Sequence, residues 1–385
     1  MERAQRARWA VAAMFAANGL AMGAWAPQIP PLMPKHQIGE AVLGLVILCL
    51  GLGAVTAMLA SGRLIARFGG RRVLAAFALA LVPTLPLIVL APGLPLLVLA
   101  ALIFGAIAGS MDVAMNAAAV QVERALGRAI MSVSHGFWSL GGFVGAGAGG
   151  WIMAHWGAMV QALIVAAVIA ALVLWAIRGL LPDAPAAPET AKAHGFLPRD
   201  AGLWLIGLLA LFCMVPEGAV MDWAAIYLGQ ELGAEPARAG LGFALFAGSM
   251  AVMRFSGDAV RNRFGAVRTL QISGLAGALG LLIAASAPTD LVALAGFALA
   301  GLGVANLAPV MYSAAGNHPG LPSGVAISAV TTVGYAGILV APAAIGFIAE
   351  HIGFRITYGA LAGLLVLVVL QAGRARNADA ARPAR

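Results

Sequence analysis

Long apolar segments recur along almost the whole chain, and they constrain the fold more than any other feature. A stretch such as "LVILCLGLGAVTAMLA" at 45–60 contains no charged residue. About 20 helical residues cross the roughly 30 Å hydrocarbon layer of a bilayer, where every backbone polar group needs a hydrogen-bond partner within the protein. A closed β-barrel would instead show short segments of alternating polarity. With 62% hydrophobic and 10% charged residues in all, the sequence predicts an all-α polytopic membrane protein.

The apolar segments predict twelve transmembrane helices in two six-helix bundles. Their expected bounds are 9–29, 41–64, 72–91, 95–121, 131–154, 158–179, 203–228, 239–257, 267–287, 289–312, 323–350 and 354–373. The longest polar interval, rich in proline and alanine, lies between the sixth and seventh spans and is typical of a linker. We therefore expect an N-terminal bundle at 1–180, a cytoplasmic linker at 181–202, and a C-terminal bundle at 203–385 with a short cytoplasmic tail.

Internal repetition supports the division into two similar halves. "SGRLIARFGGRRVL" at 61–74 is similar to "SGDAVRNRFGAVRTL" at 256–270. At nearly the same shift, "GSMD" at 109–112 falls on "GVAN" at 303–306. Repeats of this kind are typical of transporters with two pseudo-symmetric bundles and a binding site between them.

Basic residues predict how the chain is oriented. An even number of spans places both termini on one side, and 20 of the 23 lysines and arginines are assigned to that side. The positive-inside rule then makes the termini cytoplasmic, in the inner membrane of a bacterium. Because topology accounts for the high pI, no nucleic-acid partner is needed. The bilayer is the expected partner, and we expect a monomer.

Three ionisable residues inside the apolar segments are candidates for proton coupling. Asp112 lies in "GSMDVAMN" at 109–116, and a carboxylate at membrane depth must face water, find a partner or hold a proton. Glu217 follows Pro216 in the seventh span and is a candidate either for coupling or for an extracellular gate. His135, early in the fifth span, titrates near neutral pH and is a candidate relay to Asp112. A carboxyl or imidazole hydrogen-bonded purely for packing is the alternative for each.

Amide, hydroxyl and aromatic side chains within or just beyond the apolar segments are candidates to line a polar cavity. They are Asn18, Trp25, Gln28, Asn116, Trp138, Asn306, Thr331 and Tyr335. Such groups suit a small polar organic solute, although each could also be a hydrogen-bonding device between helices, worth about 1 kcal/mol. No Asp, Glu, Cys or second His lies at metal-ligand spacing from His135, and we predict neither a metal nor a cofactor.

The loop after the second span resembles the cytoplasmic loop motif of the major facilitator superfamily. The matching residues of "GRLIARFGGRR" are Gly62, Leu64, Arg67, Gly69, Arg71 and Arg72. Ala66 stands where the family usually has an aspartate that helps to latch the helix ends. The second copy of the loop carries Asp258 and Arg263. In that family the first loop takes part in gating, and the second loop matches it in position, so the residues of both loops are our gating candidates.

A narrower resemblance is to a bacterial subgroup of permeases related to fucose permease. It rests on "DVAMNAAAVQVERALGRAIMSVSHGFWSLGG" and "PEGAVMDWAAIYL". Fucose permease has a fourth-span pattern Gly-Leu-Glu-x-x-x-Asn whose carboxylate is implicated in proton coupling, and Gly109, Asp112 and Asn116 fill that pattern with Asp for Glu. The acid that fucose permease uses in its first span has no match here.

These observations together predict a secondary transporter with proton symport by alternating access, and not an enzyme. The main alternative is a proton-antiport exporter of drugs or metabolites, since the sequence does not give the direction of flux. A membrane sensor would need a larger soluble segment, and an intramembrane enzyme would concentrate its acids at one depth. The sequence also lacks nucleotide-binding motifs.

Overall fold

The chain folds almost entirely into α-helices in the residues that the computed structural model describes, 2–182, 198–239 and 241–379. The first half contains α1 (Glu2–His36), α2 (Glu40–Phe68), α3 (Gly70–Leu81), α4 (Thr84–Leu90), α5 (Leu94–Leu126) and α6 (Met131–Gly179). The second half contains α7 (Ala201–Leu232), α8 (Pro236–Ala239), α9 (Leu241–Phe264), α10 (Ala266–Ala285), α11 (Asp290–Val304), α12 (Leu307–Gly316), α13 (Ser323–Ile352) and α14 (Phe354–Leu370). A 3-10 helix, Ala372–Asp379, follows.

Parts of the predicted linker and tail lie outside the described residues. They are 183–197 and 380–385. The domain boundaries stay a prediction.

The helices account for the twelve predicted spans. Within the described residues, nine helical segments are long and apolar enough to cross a membrane. One of them, α6, has 49 residues and turns at Gly157, whose φ is 85°, so it forms two spans. α9 is 24 residues long but carries several ionisable residues, and α14 has 17 residues. Eight of the nine segments, the two parts of α6, α9 and α14 together give twelve spans. In this count the pair α3 and α4 forms one broken span, and so does the pair α11 and α12.

The two copies of the repeated loop adopt the same turn, which supports the pseudo-symmetry. α2 ends at Phe68 and α3 begins after Gly69, whose φ is 90°. α9 ends at Phe264 and α10 begins after Gly265, whose φ is 83°. Because a side chain is strained at such positive φ values, the Arg-Phe-Gly sequence of each copy ends in the residue that the turn requires.

Within the first half, α1 packs on α6 backbone to backbone. A Cβ added at Gly23 would overlap the Gly142 carbonyl oxygen, and one at Gly19 would overlap the carbonyl oxygen of Trp138. In lipid, helices gain stability from such close packing because the hydrophobic effect does not drive them together. Gly19 and Gly23 of α1 therefore allow the two helices to come into direct contact.

Large apolar side chains cover the outer surface of both halves. Phe143, Val252 and Leu370 are exposed over 77%, 66% and 72% of their surface. In water such exposure would favour aggregation, whereas in a bilayer these side chains contact acyl chains. The outer surface is therefore suited to lipid.

The halves are joined at the end of the bundle that carries both termini, which we call the terminal end. There α2 packs on α13, and the Ser328 hydroxyl donates to the Met58 carbonyl oxygen. A Cβ at Gly62 would lie 2.9 Å from the Cα of Val325, so the glycine of the first loop motif permits this approach. The described residues show this end closed.

Candidate functional site

The carboxyl group of Asp112 lies on α5, deep within the protein. The residue is 4% exposed. Its Oδ1 accepts from Asn116 Nδ2 at 3.3 Å, and the same Nδ2 donates to the Asp112 carbonyl oxygen at 2.9 Å. Oδ2 is buried without a hydrogen-bond partner of normal geometry among the described residues. The groups that face the carboxyl group are the Asn116 amide and the Tyr335 hydroxyl, both of which are neutral.

His135 is linked to Asp112 through the same amide. Its Nε2 lies 3.1 Å from Asn116 Oδ1. Since Asn116 directs its NH₂ group towards Asp112, the His135 nitrogen is assigned as the donor. The imidazole stacks on Tyr312 with ring centroids 5.6 Å apart and meets the edge of Phe15. α6 thus brings its histidine to the polar face of α5, across 19 residues of sequence.

A buried arginine of the second half faces this group. Arg254 falls within the expected eighth span, 239–257, although it was counted among the basic residues of the cytoplasmic side; it lies in α9 and is 6% exposed. Its Nη1 donates to Ser139 Oγ at 2.5 Å, and Nη2 lies 3.3 Å from Glu217 Oε2. The positive-inside rule assigns each basic residue to one side of the membrane. It therefore does not identify Arg254 as a residue buried between helices.

Two tyrosines of the second half complete a mixed polar cluster. Tyr335 on α13 faces the Asp112 carboxyl group and interacts electrostatically with Glu217. Tyr312 on α12 is close enough to interact with Asp112, Glu217 and Arg254. We call the following residues the central cluster: Asp112, Asn116, His135, Glu217, Arg254, Tyr312 and Tyr335. It brings all three predicted proton-coupling residues into one region where the two halves meet.

A second polar network closes the terminal end. Arg261 on α9 donates through Nη1 to Glu123 Oε1 on α5 at 2.9 Å and to Ser313 Oγ at 2.8 Å. Ser313 in turn donates to Glu123 Oε2 at 2.8 Å. The charged side chains of the pair are 4% and 1% exposed. Arg261 was expected in the loop after the eighth span, but it lies in α9 and is 3% exposed, so that expectation was wrong.

Carboxylates from both halves accept hydrogen bonds from the backbone N–H groups at the start of α6. Glu123 accepts from Ile130 and Met131, at 2.9 and 3.2 Å. Asp258, of the second loop copy, accepts from Ser132 and Val133, each at 2.9 Å. Helix N-termini present unpaired donors and a partial positive charge, which anions satisfy. The start of α6 is therefore fully satisfied only while the halves are together.

The first loop copy lies beside this network. Gly62 and Gly69 allow the close approach and the turn described above. Arg71 donates through Nη2 to the Ile177 carbonyl oxygen at 3.3 Å, which ties the loop to the end of α6. Arg67 and Arg72 are exposed, as is Arg263 in the second copy.

Several predicted cavity residues use their polar groups to hold helices together. Asn18 donates to the Ala108 carbonyl oxygen at 3.1 Å and accepts from Trp138 Nε1 at 2.9 Å, so it connects α1, α5 and α6. Gln28 donates to Gln161 and to the Ala158 carbonyl oxygen.

Three further candidates lie buried in different settings. The Thr331 hydroxyl donates a hydrogen bond to the Ile327 carbonyl oxygen of its own helix at 2.9 Å. Trp25 packs edge-on against Phe104. Asn306 lies at the break between α11 and α12, and neither amide atom has a hydrogen-bond partner among the described residues. Asn306 stands in the second half where Asp112 stands in the first, and it packs against Gly257 of α9.

Twelve membrane helices in two halves, with a buried polar cluster where the halves meet, are the architecture of secondary transporters. Comparisons with known proteins agree. The sequence profile of the Major Facilitator Superfamily matches residues 11–222 and 208–384, and the chain belongs to this family. The predicted family and the twelve-helix fold are confirmed.

Relatives and solved structures extend over nearly the whole chain. An uncharacterized MFS-type transporter of Yersinia pestis is 39% identical over 364 residues, which cover 94% of this chain and 93% of the relative. A structure of the E. coli fucose:proton symporter superposes with a TM-score of 0.76 at 16% identity, covering 94% of this chain and 97% of that one. A proton:xylose symporter superposes with a TM-score of 0.74 at 14% identity, covering 96% and 95%. At these identities the structures show the fold alone.

Proposed function

We propose that this transporter moves a small polar organic solute in a proton-coupled cycle of alternating access, with Asp112 as the main proton acceptor. The buried carboxyl group of Asp112, which faces Tyr335 at the meeting point of the halves, carries the proposal. An ionised carboxylate at membrane depth costs several kcal/mol unless water or a partner compensates it. Protonation removes that cost.

Protonation of Asp112 would couple the solute to the proton gradient through the conformational equilibrium. While the central cluster is open to water, the carboxylate is hydrated and ionised. Closing the halves around bound solute removes the water, and this step is easier when the group is neutral. Proton and solute would therefore cross together.

The neighbouring groups support a proton path and a second charged site. The Asn116 amide holds the His135 imidazole and the Asp112 carboxyl group close together, so water that enters the open cluster can carry a proton between them. The Glu217 side chain is 32% exposed and pairs with Arg254, so it is placed to exchange this partner when solute enters. The two solved neighbours named above are proton symporters by their descriptions.

The position of the closed end fits the predicted orientation. We propose that the protein lies in the bacterial inner membrane with both termini in the cytoplasm, because the basic loops lie at the terminal end. The closed terminal network would then be a cytoplasmic gate. Tyr335, Asn116 and Glu217 are the predicted residues best placed to contact solute.

The test begins with a search for a ligand of the purified protein. Sugars, amino acids, nucleosides and organic carboxylates are screened by thermal shift, since a ligand of the folded state stabilises by RT ln(1 + [L]/Kd). Uptake of the ligand is then measured in proteoliposomes with and without an imposed pH gradient. Reversing the gradient determines the direction of coupled flux.

Asp112→Asn should abolish accumulation driven by the pH gradient and leave solute exchange intact, because the amide keeps the shape but cannot carry the proton. Asp222→Asn, at an exposed position on α7, is the matched control and should accumulate solute like the unmodified protein. Full gradient-driven accumulation by Asp112→Asn would disprove the assignment of the proton to Asp112. Accumulation that ignores the pH gradient in the unmodified protein would disprove proton coupling itself.

A further inference from the structure

The guanidinium group of Arg254 is buried in the central cluster, and one of its donors is unused. Nη1 donates to Ser139 Oγ of the first half, and Nη2 lies beside Glu217 Oε2 of the second half. Nε is buried without a hydrogen-bond partner among the described residues. Because a buried donor is costly when it is left unpaired, the unused Nε–H indicates a further ligand for this arginine.

Glu217 occupies only part of one edge of the guanidinium group. The Nε–H and the Nη2–H beside it point in parallel, and a carboxylate that faces this edge squarely accepts from both. The contact of Glu217 is to Nη2 alone, at 3.3 Å. Charge-assisted N–H···O bonds prefer about 2.7–2.9 Å. A second carboxylate can therefore bind this edge better than Glu217 does.

We propose that the transported solute carries a carboxylate group, which replaces Glu217 on the Nε and Nη2 donors of Arg254. This inference names the substrate class and rests on the proposed function, because it takes the central cluster as the solute site. Glu217 is suited to leave, since its side chain is 32% exposed and that of Arg254 is 8% exposed. Once Glu217 turns to water, the buried guanidinium group needs a new anion.

The other neighbours of Arg254 do not supply that anion. Ser139 offers a hydroxyl group, and the side chains of His135 and Tyr312, which interact with Arg254 electrostatically, carry no negative charge at neutral pH. Among the described residues, Glu217 is the acid within salt-bridge distance of Arg254. An anionic group of the solute is therefore the natural replacement.

Charge balance divides the candidate solutes into two kinds. When the solute takes Arg254, Glu217 loses its cation, and an uncompensated carboxylate is costly once the halves close. A solute that also bears an ammonium group, such as an amino acid, gives Glu217 a new cation. With a plain carboxylate solute, Glu217 must instead take up a proton or stay hydrated. Both kinds use the same edge of Arg254, and the experiment separates them.

Small probes test this edge directly. Thermal stability of the full-length protein in detergent is measured with sodium acetate against sodium chloride at equal ionic strength, and with glycine against acetamide at equal concentration. Acetate and glycine should each stabilise the protein in a saturable way, by RT ln(1 + [L]/Kd), whereas uncharged acetamide should not. No saturable stabilisation by either probe up to about 0.2 M, well above the Kd expected for ligands of this size at their own subsite, would overturn the proposal.

Glu217→Gln gives a result that a purely structural ion pair would not give. Removing the competing carboxylate should tighten acetate binding about tenfold. Weaker glycine binding in this variant would assign the ammonium group to Glu217 and favour amino-acid solutes, and tighter glycine binding would favour plain carboxylates. An acetate affinity equal to or below that of the unmodified protein would contradict the exchange of carboxylates on Arg254.

Arg254→Gln/Glu217→Gln removes both charges together, so neither is left buried without its partner. This variant should lose the saturable response to acetate and glycine. The matched control is Arg238→Gln/Asp290→Asn, which removes an ion pair outside the central cluster and should respond like the unmodified protein. If the probes stabilise both double variants equally, they do not bind at Arg254, and the proposal fails.

These measurements need neither uptake nor a pH gradient, so their failure is distinct from failure of proton coupling. The same comparison extends to the ligand found by the thermal-shift screen. Conversion of its carboxylate to an amide should weaken binding at least tenfold in the unmodified protein and leave it unchanged in Arg254→Gln/Glu217→Gln. A transported ligand without any carboxylate would disprove the substrate class and leave the assignment of the proton to Asp112 standing.

Discussion

Replacing Glu123 by glutamine should open the terminal end. Four donors converge on this carboxylate, from Ile130, Met131, Ser313 and Arg261, and the paired side chains are almost fully buried. Glutamine keeps the shape but removes the charge and turns one acceptor into a donor that faces other donors. Loss of one partner of a buried ion pair costs about 3–5 kcal/mol.

Most of this cost should fall on the closed state, because water hydrates both groups once the halves separate. Taking the lower figure of about 3 kcal/mol, the ratio of closed to open protein should fall about 150-fold. A cysteine placed at Ala129 reports this change, since that residue is 7% exposed and its N–H donates to Asn262 across the interface. With Cys49 and Cys213 replaced, the rate of labelling by a water-soluble maleimide follows the open fraction.

We expect Glu123→Gln to accelerate this labelling by up to about 100-fold. Glu2→Gln is the control, because Glu2 forms an exposed pair with Arg6, 82% and 74% exposed, and such pairs contribute little. A labelling rate in Glu123→Gln equal to that of Glu2→Gln would refute the conclusion that the buried pair keeps this end closed.

Two further variants test other contacts. Gly23→Val should lower the Tm by roughly 5–10 °C, since the new side chain would overlap Gly142 and cost about 3 kcal/mol, while Gly147→Val, which meets open space, should change it little. Asp258→Asn removes the charge from the start of α6 and should accelerate labelling at Ala129→Cys about tenfold, with an unchanged rate arguing against this carboxylate as part of the gate.

Much of the fold follows from the sequence because a bilayer restricts the choices. Long apolar segments require helices, and a repeated Arg-Phe-Gly requires the same turn twice. The expected boundary of the eighth span was wrong for a physical reason. α9 continues past the expected end at 257 to Phe264 and carries Arg261 into the bundle, where Glu123 compensates its charge, as Glu217 does for Arg254 within the expected span. A hydropathy profile registers the charge and cannot register its distant partner.

Part of the candidate site could be predicted from the sequence. Asp112 is conspicuous because little else in its segment is polar, and Asn116 follows one helical turn later. The contact of His135 with Asn116 depends on how α6 returns beside α5, and the pairing of Glu123 with Arg261 joins residues 138 positions apart. A single sequence does not encode such pairings in any local pattern.

The shared capping of α6 also bears on biogenesis. Helices enter the membrane in chain order, so Glu123 and the start of α6 are in place long before Arg261 and Asp258 have been synthesised. Until α9 arrives, water must hydrate that carboxylate and those backbone donors. This end of the bundle is therefore the last to assemble, and a nascent chain arrested before α9 would expose it to chaperones and proteases.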